Sequence, residues 1–146
     1  MTDIRDDVRA DFTRIFGYEP LGLWSAPGRV NLIGEHTDYN LGFVLPFAIN
    51  RRTVLALGVR TDGIIRVGSS FSDELVEIAI ADLSPDALDG WSAYPLGVAW
   101  ALGQNGADLG AVPGVDIYLD STVPVGAGLS SSAAIESSVG LALNDV

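Results

Sequence analysis

Between Gly28 and Asn40 the chain reads GRVNLIGEHTDYN, which gathers a guanidinium (Arg29), an amide (Asn31), two carboxylates (Glu35 and Asp38), an imidazole (His36) and a hydroxyl (Thr37). Carboxylates accept hydrogen bonds from hydroxyl groups, whereas His and Asn side chains both donate and accept, so this set can read a polyhydroxylated ligand directionally. A guanidinium beside them can neutralise charge that develops on a transferring phosphoryl group. The same composition also fits a polar surface loop in which Asp38, Asn40 and Gly42 make a turn.

A second stretch, Val123 to Ala134, reads VPVGAGLSSSAA. Gly126, Ala127 and Gly128 let main-chain N–H groups approach an anion with little obstruction. Ser130, Ser131 and Ser132 add hydroxyls where a following helix presents unpaired N–H groups and the positive end of its dipole. A triphosphate suits such a cradle. A plain strand-to-helix turn also fits, with Ser130 or Ser131 as an N-cap worth about 1 kcal/mol. All eight basic residues are arginine, so a Walker A loop, which needs a lysine, is excluded. Phosphate binding here would rest on backbone and hydroxyl groups.

Composition narrows the partners. A formal net charge of −11 repels nucleic acid and anionic membrane surfaces. The lack of cysteine removes disulfides, thiolate nucleophiles and Cys-based zinc sites, and a single histidine removes a His-rich metal cluster. The start, MTDIRDDVRADF, is acidic where a secretory signal needs basic residues, and no apolar run approaches the roughly 18 residues of a membrane span. These features read as a cytoplasmic domain that handles small molecules; they leave the oligomeric state open, with a monomer favoured. With 48% hydrophobic and 18% charged residues over 146 positions, the chain can bury one core.

The elements that must position the two stretches can be read from periodicity. Ile4, Val8, Phe12, Ile15 and Phe16 recur at mostly helical spacing, and Gly17 stops that helix. Short β-rich runs follow at residues 21–25, 30–33, 43–49, 53–59, 64–67 and 75–80, with Thr61-Asp62-Gly63 as the strongest hairpin turn. Residues 91–104 suit a buried helix with Pro95 in its first turn, residues 115–119 a strand, and residues 133–143 a helix. The fold class expected is α+β.

The run Gly28 to Ile49 closely resembles the galactokinase signature of the GHMP small-molecule kinases, and Val123 to Ala134 resembles the phosphate-binding motif of that whole superfamily. The likeness implies the GHMP kinase N-terminal domain across residues 1–146: a mixed sheet with helices packed on one side and a left-handed β-α-β crossover. It also implies a piece of a longer protein whose C-terminal domain is absent. The expected reaction moves the ATP γ-phosphate to the anomeric hydroxyl of galactose. Glu35, His36, Thr37 and Asp38 would then contact the sugar, and Arg29 would stabilise the transition state. Gly126, Ala127, Gly128, Leu129, Ser130, Ser131 and Ser132 would wrap the phosphates, with Ser132 on Mg²⁺. Ser70 and Trp91 would touch the nucleotide. The family's catalytic aspartate and a second Mg²⁺ ligand would lie downstream of Val146. Two other readings share these motifs: a non-catalytic galactose- and ATP-binding sensor, and a GHMP kinase for another sugar.

Overall fold

The structure is a computed structural model that describes residues 3–146, apart from the side chain of Asp38. Helix α1 (Ile4–Phe16) starts at Asp3, whose carboxylate accepts from the Arg5 N–H, and ends at Gly17, whose φ of 84° only a residue without Cβ adopts freely. Asp6 and Asp7 in the first turn and Arg14 in the last complement the helix dipole.

Among the described residues one mixed sheet forms from β1 (Gly22–Asn31), β2 (Pro46–Val59), β3 (Ile64–Ser69), β4 (Ser72–Ala79) and β5 (Val115–Ser121). Their spatial order is β1-β2-β5-β3-β4, and each neighbouring pair is antiparallel except β3 with β5. The turn at Thr61-Asp62-Gly63 does join β2 to β3, but the two do not pair as a hairpin, because β5 lies between them. Residues 115–119 are buried without alternation, which suits a central strand covered on both faces. The separate runs expected at 43–49 and 53–59 are one long β2, and the run at 30–33 is the end of β1.

Alternation along the strands assigns the faces. Leu55 and Leu57 of β2 and Ile117 and Leu119 of β5 pack with α2 (Ala93–Gln104) and α3 (Ser131–Asp145) through Leu96, Ala99, Ile135, Val139 and Ala142. Val54, Ala56 and Tyr118 point the other way, against Val8 and Phe12 of α1. Helices therefore cover both faces, a correction to the one-sided packing expected, and it follows from the apolar stripe of α1 needing its own partner surface. Each fully buried Leu or Phe here contributes about 1.5–3 kcal/mol. No described helix is long and apolar enough to cross a membrane.

One irregularity shapes the site. Between the pairs Pro27↔Arg52 and Arg29↔Ala48, β1 advances two residues while β2 advances four. Residues 49–51 thus stand opposite Gly28 alone, two more than a regular ladder holds, and such bulges bend a strand pair and increase its twist. The arm beyond it carries the polar signature.

Candidate active site

Gly28 and Arg29 sit where the β1–β2 arm meets the loop before α3. The Arg29 N–H donates to the Leu129 carbonyl at 3.0 Å. Gly28 is buried, and a Cβ on it would stand 2.9 Å from that same oxygen, 3.0 Å from Val123 Cγ1 and 3.1 Å from Ile49 Cδ1. Only glycine admits so close an approach. The two chemical stretches, a hundred residues apart in the chain, are thus fastened backbone to backbone. Farther along, a Cβ on Gly128 would lie 3.9 Å from Glu35 Oε1, so the signature's first carboxylate stands beside the glycine loop.

The loop after β1 is held by its own bonds. The Thr37 hydroxyl reaches the Gly34 carbonyl at 2.6 Å and the Phe43 carbonyl at 3.1 Å, and the Gly42 N–H donates to the Thr37 carbonyl at 2.7 Å. A hydroxyl has one proton, and here it is directed into the loop, so Thr37 shapes the site and does not present that proton to a ligand. His36 has a φ of 64°, in the left-handed region, and Asn40 Nδ2 holds its carbonyl at 3.1 Å. Its Nδ1 pairs with the Tyr39 hydroxyl. Glu35 and His36 are exposed, and Arg29 is exposed with no side-chain partner among the described residues. Asp38 begins a short helical turn, Asp38–Asn40, and its side chain lies outside the described residues.

Beside this loop lies a cavity of about 560 Å³, with Phe71, Trp91 and Tyr94 on one side and Gly126 and residues 128–132 on the other. Ser130 takes the N-cap position of α3 but is left-handed (φ 58°), and its side chain caps nothing. The serine cap expected of a plain turn is therefore absent. Main-chain donors of the first helical turn are left for another acceptor at the cavity wall. Ala127, alone among residues 125–132, does not line the cavity. The Trp91 indole nitrogen is buried without a partner among the described residues, an orphan donor beside the cavity.

Ser70, expected at the nucleotide, faces elsewhere in this structure. It bonds the Asp120 carboxylate and lines a different cavity, of about 430 Å³, with Arg14 and Tyr118 on the α1 side. Gly68, Ser69 and Ser70 all line that cavity, and the next residue in the turn, Phe71, lines the loop cavity. Phe71 and Tyr94 are additions to the expected site; Tyr94 lies three residues after Trp91, a helical spacing that could have suggested it, whereas nothing in the sequence marks Phe71.

For a cation, the described residues hold no cluster of three or more His, Asp or Glu side chains. Ser132 offers one hard oxygen at the cavity wall. That donor fits Mg²⁺, which keeps most of its waters and binds through one or two protein oxygens plus phosphates.

Residues 10–59 match the galactokinase galactose-binding signature and residues 93–146 match the GHMP kinases N-terminal domain. A galactokinase of Streptomyces coelicolor is 54% identical over 136 residues, which are 92% of this chain and 34% of that protein. The crystal structure of Lactococcus lactis galactokinase complexed with galactose superposes with a TM-score of 0.85 at 31% identity, covering 98% of this chain and 37% of that one. Methanococcus jannaschii mevalonate kinase shares the fold, with a TM-score of 0.70 at 19% identity over 85% of this chain and 39% of that one. The chain thus spans about a third of the length of the curated relatives it matches. With the signature on its bent arm and the phosphate-type loop hydrogen-bonded to it, the chain carries the galactose-binding signature of galactokinases followed by the N-terminal domain of GHMP kinases.

Proposed function

We propose that this chain is the substrate-reading and phosphate-cradling part of a galactokinase, an enzyme that makes galactose 1-phosphate and ADP from galactose and ATP. The observation that carries the reading is the fastening of Arg29 N–H to Leu129 O at 3.0 Å, which brings a sugar-type cluster and a phosphate-type loop to one place. Glu35, His36 and Asp38 hold the sugar hydroxyls. The loop 126–132 holds the triphosphate through main-chain N–H groups and serine hydroxyls, and the orphan indole N–H of Trp91 meets an acceptor on the purine. Mg²⁺, held in part by Ser132, neutralises phosphate charge when bound.

The anomeric oxygen attacks the γ-phosphorus, and the bond from that phosphorus to the β,γ-bridging oxygen breaks to release ADP. The hydroxyl proton passes to an aspartate that the family carries downstream of this segment. Arg29, between the two half-sites, offsets the charge that spreads over the transferring group. The reading places the protein in the cytoplasm, where ATP is at hand, as a monomer. The test is a panel of hexoses and ATP with the chain extended to the length of its relatives. Galactose-dependent ADP release is expected, and preference for another sugar would overturn the substrate assignment.

A further inference from the structure

We propose that Tyr39 is a positioning residue of the sugar site: its hydroxyl donates to Nδ1 of His36, keeps the imidazole proton on Nε2, and so makes His36 a donor toward a sugar hydroxyl. This inference rests on the galactose reading above, but its first test does not. The Tyr39 hydroxyl pairs with His36 Nδ1, and the two rings meet edge to face with centroids 6.0 Å apart. A neutral imidazole has one N–H and one acceptor nitrogen, so the partner of one nitrogen decides what the other offers. A phenol O–H is a stronger hydrogen-bond donor than its oxygen is an acceptor, and an imidazole nitrogen is a good acceptor, so the proton lies toward Nδ1.

The backbone is arranged for the same end. His36 is held left-handed, a conformation that costs a non-glycine residue energy and persists only where neighbouring bonds enforce it. Asn40 Nδ2 on its carbonyl, and the Thr37 bonds to Gly34 and Phe43, supply that enforcement. The outcome is chemically useful. Carboxylates, the side-chain type of Glu35 and Asp38, only accept, so a third acceptor would leave the lone pairs of the sugar oxygens unread. With Nε2–H as donor, one sugar hydroxyl can accept from His36 while giving its own proton to a carboxylate, which fixes that hydroxyl in direction as well as place.

His36 is the single histidine of the sequence, so nitrogen-15 labelling of histidine gives one imidazole to observe. The wild-type chain should show the Nε2–H tautomer, and Tyr39→Phe should shift the ring toward a mixture. An Nδ1–H tautomer in the wild-type chain, or a ratio unchanged by Tyr39→Phe, overturns the proposal. The wild-type spectrum decides even if the variant folds poorly. In the chain extended to the length of its relatives, Tyr39→Phe should raise KM for galactose about five- to tenfold, the effect of one hydrogen bond, with kcat and KM for ATP unchanged. An unchanged galactose KM overturns the link to the sugar. If the wild-type enzyme ignores galactose while the Nε2–H tautomer is present, it is the proposed substrate that fails.

Discussion

Arg29 stands apart from most arginines of the chain. Arg5, Arg9, Arg14, Arg60 and Arg66 are each tied to a carboxylate, while Arg29 extends from the fastening point between the signature and the glycine loop with no ion pair among the described residues. A cation held ready and unneutralised suits a charge that appears only during phosphoryl transfer. Arg29→Ala in the extended protein should therefore lower kcat by about two to three orders of magnitude, the usual loss for one such contact. Melting of the variant should match wild type, and wild-type turnover would remove the role given to Arg29. Asp116 is the opposite case. It is fully buried on the α1 side of β5 and takes hydrogen bonds from Arg66 at 2.6 and 2.8 Å, Tyr18 at 2.7 Å and Arg60 at 3.0 Å. Burial alone pushes its carboxyl up, but the bonds from Arg66, Tyr18 and Arg60 outweigh it and leave the group below its ordinary value of 3.8. A carboxylate with a depressed folded value stabilises the fold above its unfolded value and loses that contribution as pH falls through the folded one. Asp116→Asn should cost about 3 kcal/mol near neutrality, and the gap from wild type should narrow in urea melts below about pH 4. A pH-independent gap would show that the charge is not what matters there. Glu35, His36 and Asp38 were legible as a motif, yet the inward turn of Thr37, the pairing of Tyr39 with His36 and the bond of Ser70 to Asp120 were not, because spacing states which residues are near and not where their polar atoms point.

The elements carry the next level of control, and Gly28 is where they meet. Its buried position under the bulge at residues 49–51 lets β1 lie against the glycine loop. The need for glycine there is steric, since the Cβ of alanine would collide with the Leu129 carbonyl and with the Val123 and Ile49 side chains. Gly28→Ala should destabilise the chain by about 1–3 kcal/mol, as overpacking does, and weaken MgATP binding by moving the loop. Thermal melting and nucleotide titration check both parts, and a variant that melts like wild type would mean that the loop is not pressed against β1. Helix α1, its stop at Gly17, Pro95 in the first turn of α2 and the apolar run of β5 were all readable, because each depends on local sequence. The pairing of strands was not. Thr61-Asp62-Gly63 has turn chemistry and makes a turn, but whether two strands joined by a turn also pair depends on what a strand fifty residues later requires. Here β5, apolar on both faces, claims the place between them. The bulge that bends the arm has no residue signature of its own either, since it comes from a mismatch in register between two otherwise ordinary strands.

At the scale of the molecule, the cavity proposed for the triphosphate is walled by the glycine loop, while the arm proposed for the sugar stands open. The glycine loop, the uncapped start of α3 and the aromatic wall line an open cavity of about 560 Å³. The arm, by contrast, leaves Leu41 and Phe43 almost wholly in water, at 101% and 99% exposure, and Val125 beside the loop is also exposed. A transfer site works by excluding water and holding both reactants in line. The two carboxylates of the signature are committed to sugar hydroxyls in the proposed arrangement, so neither is free to take the anomeric proton. The relatives are about three times longer, and the proposed reaction takes its base from the part they have in addition. The 146-residue chain should therefore bind MgATP measurably in isothermal titration yet transfer no phosphate to galactose. Extending it to the length of its relatives should restore turnover. Galactose 1-phosphate formed by the purified 146-residue chain would mean that the base is within it, with Glu35 and Asp38 the first candidates, and would require reassigning the sugar contacts.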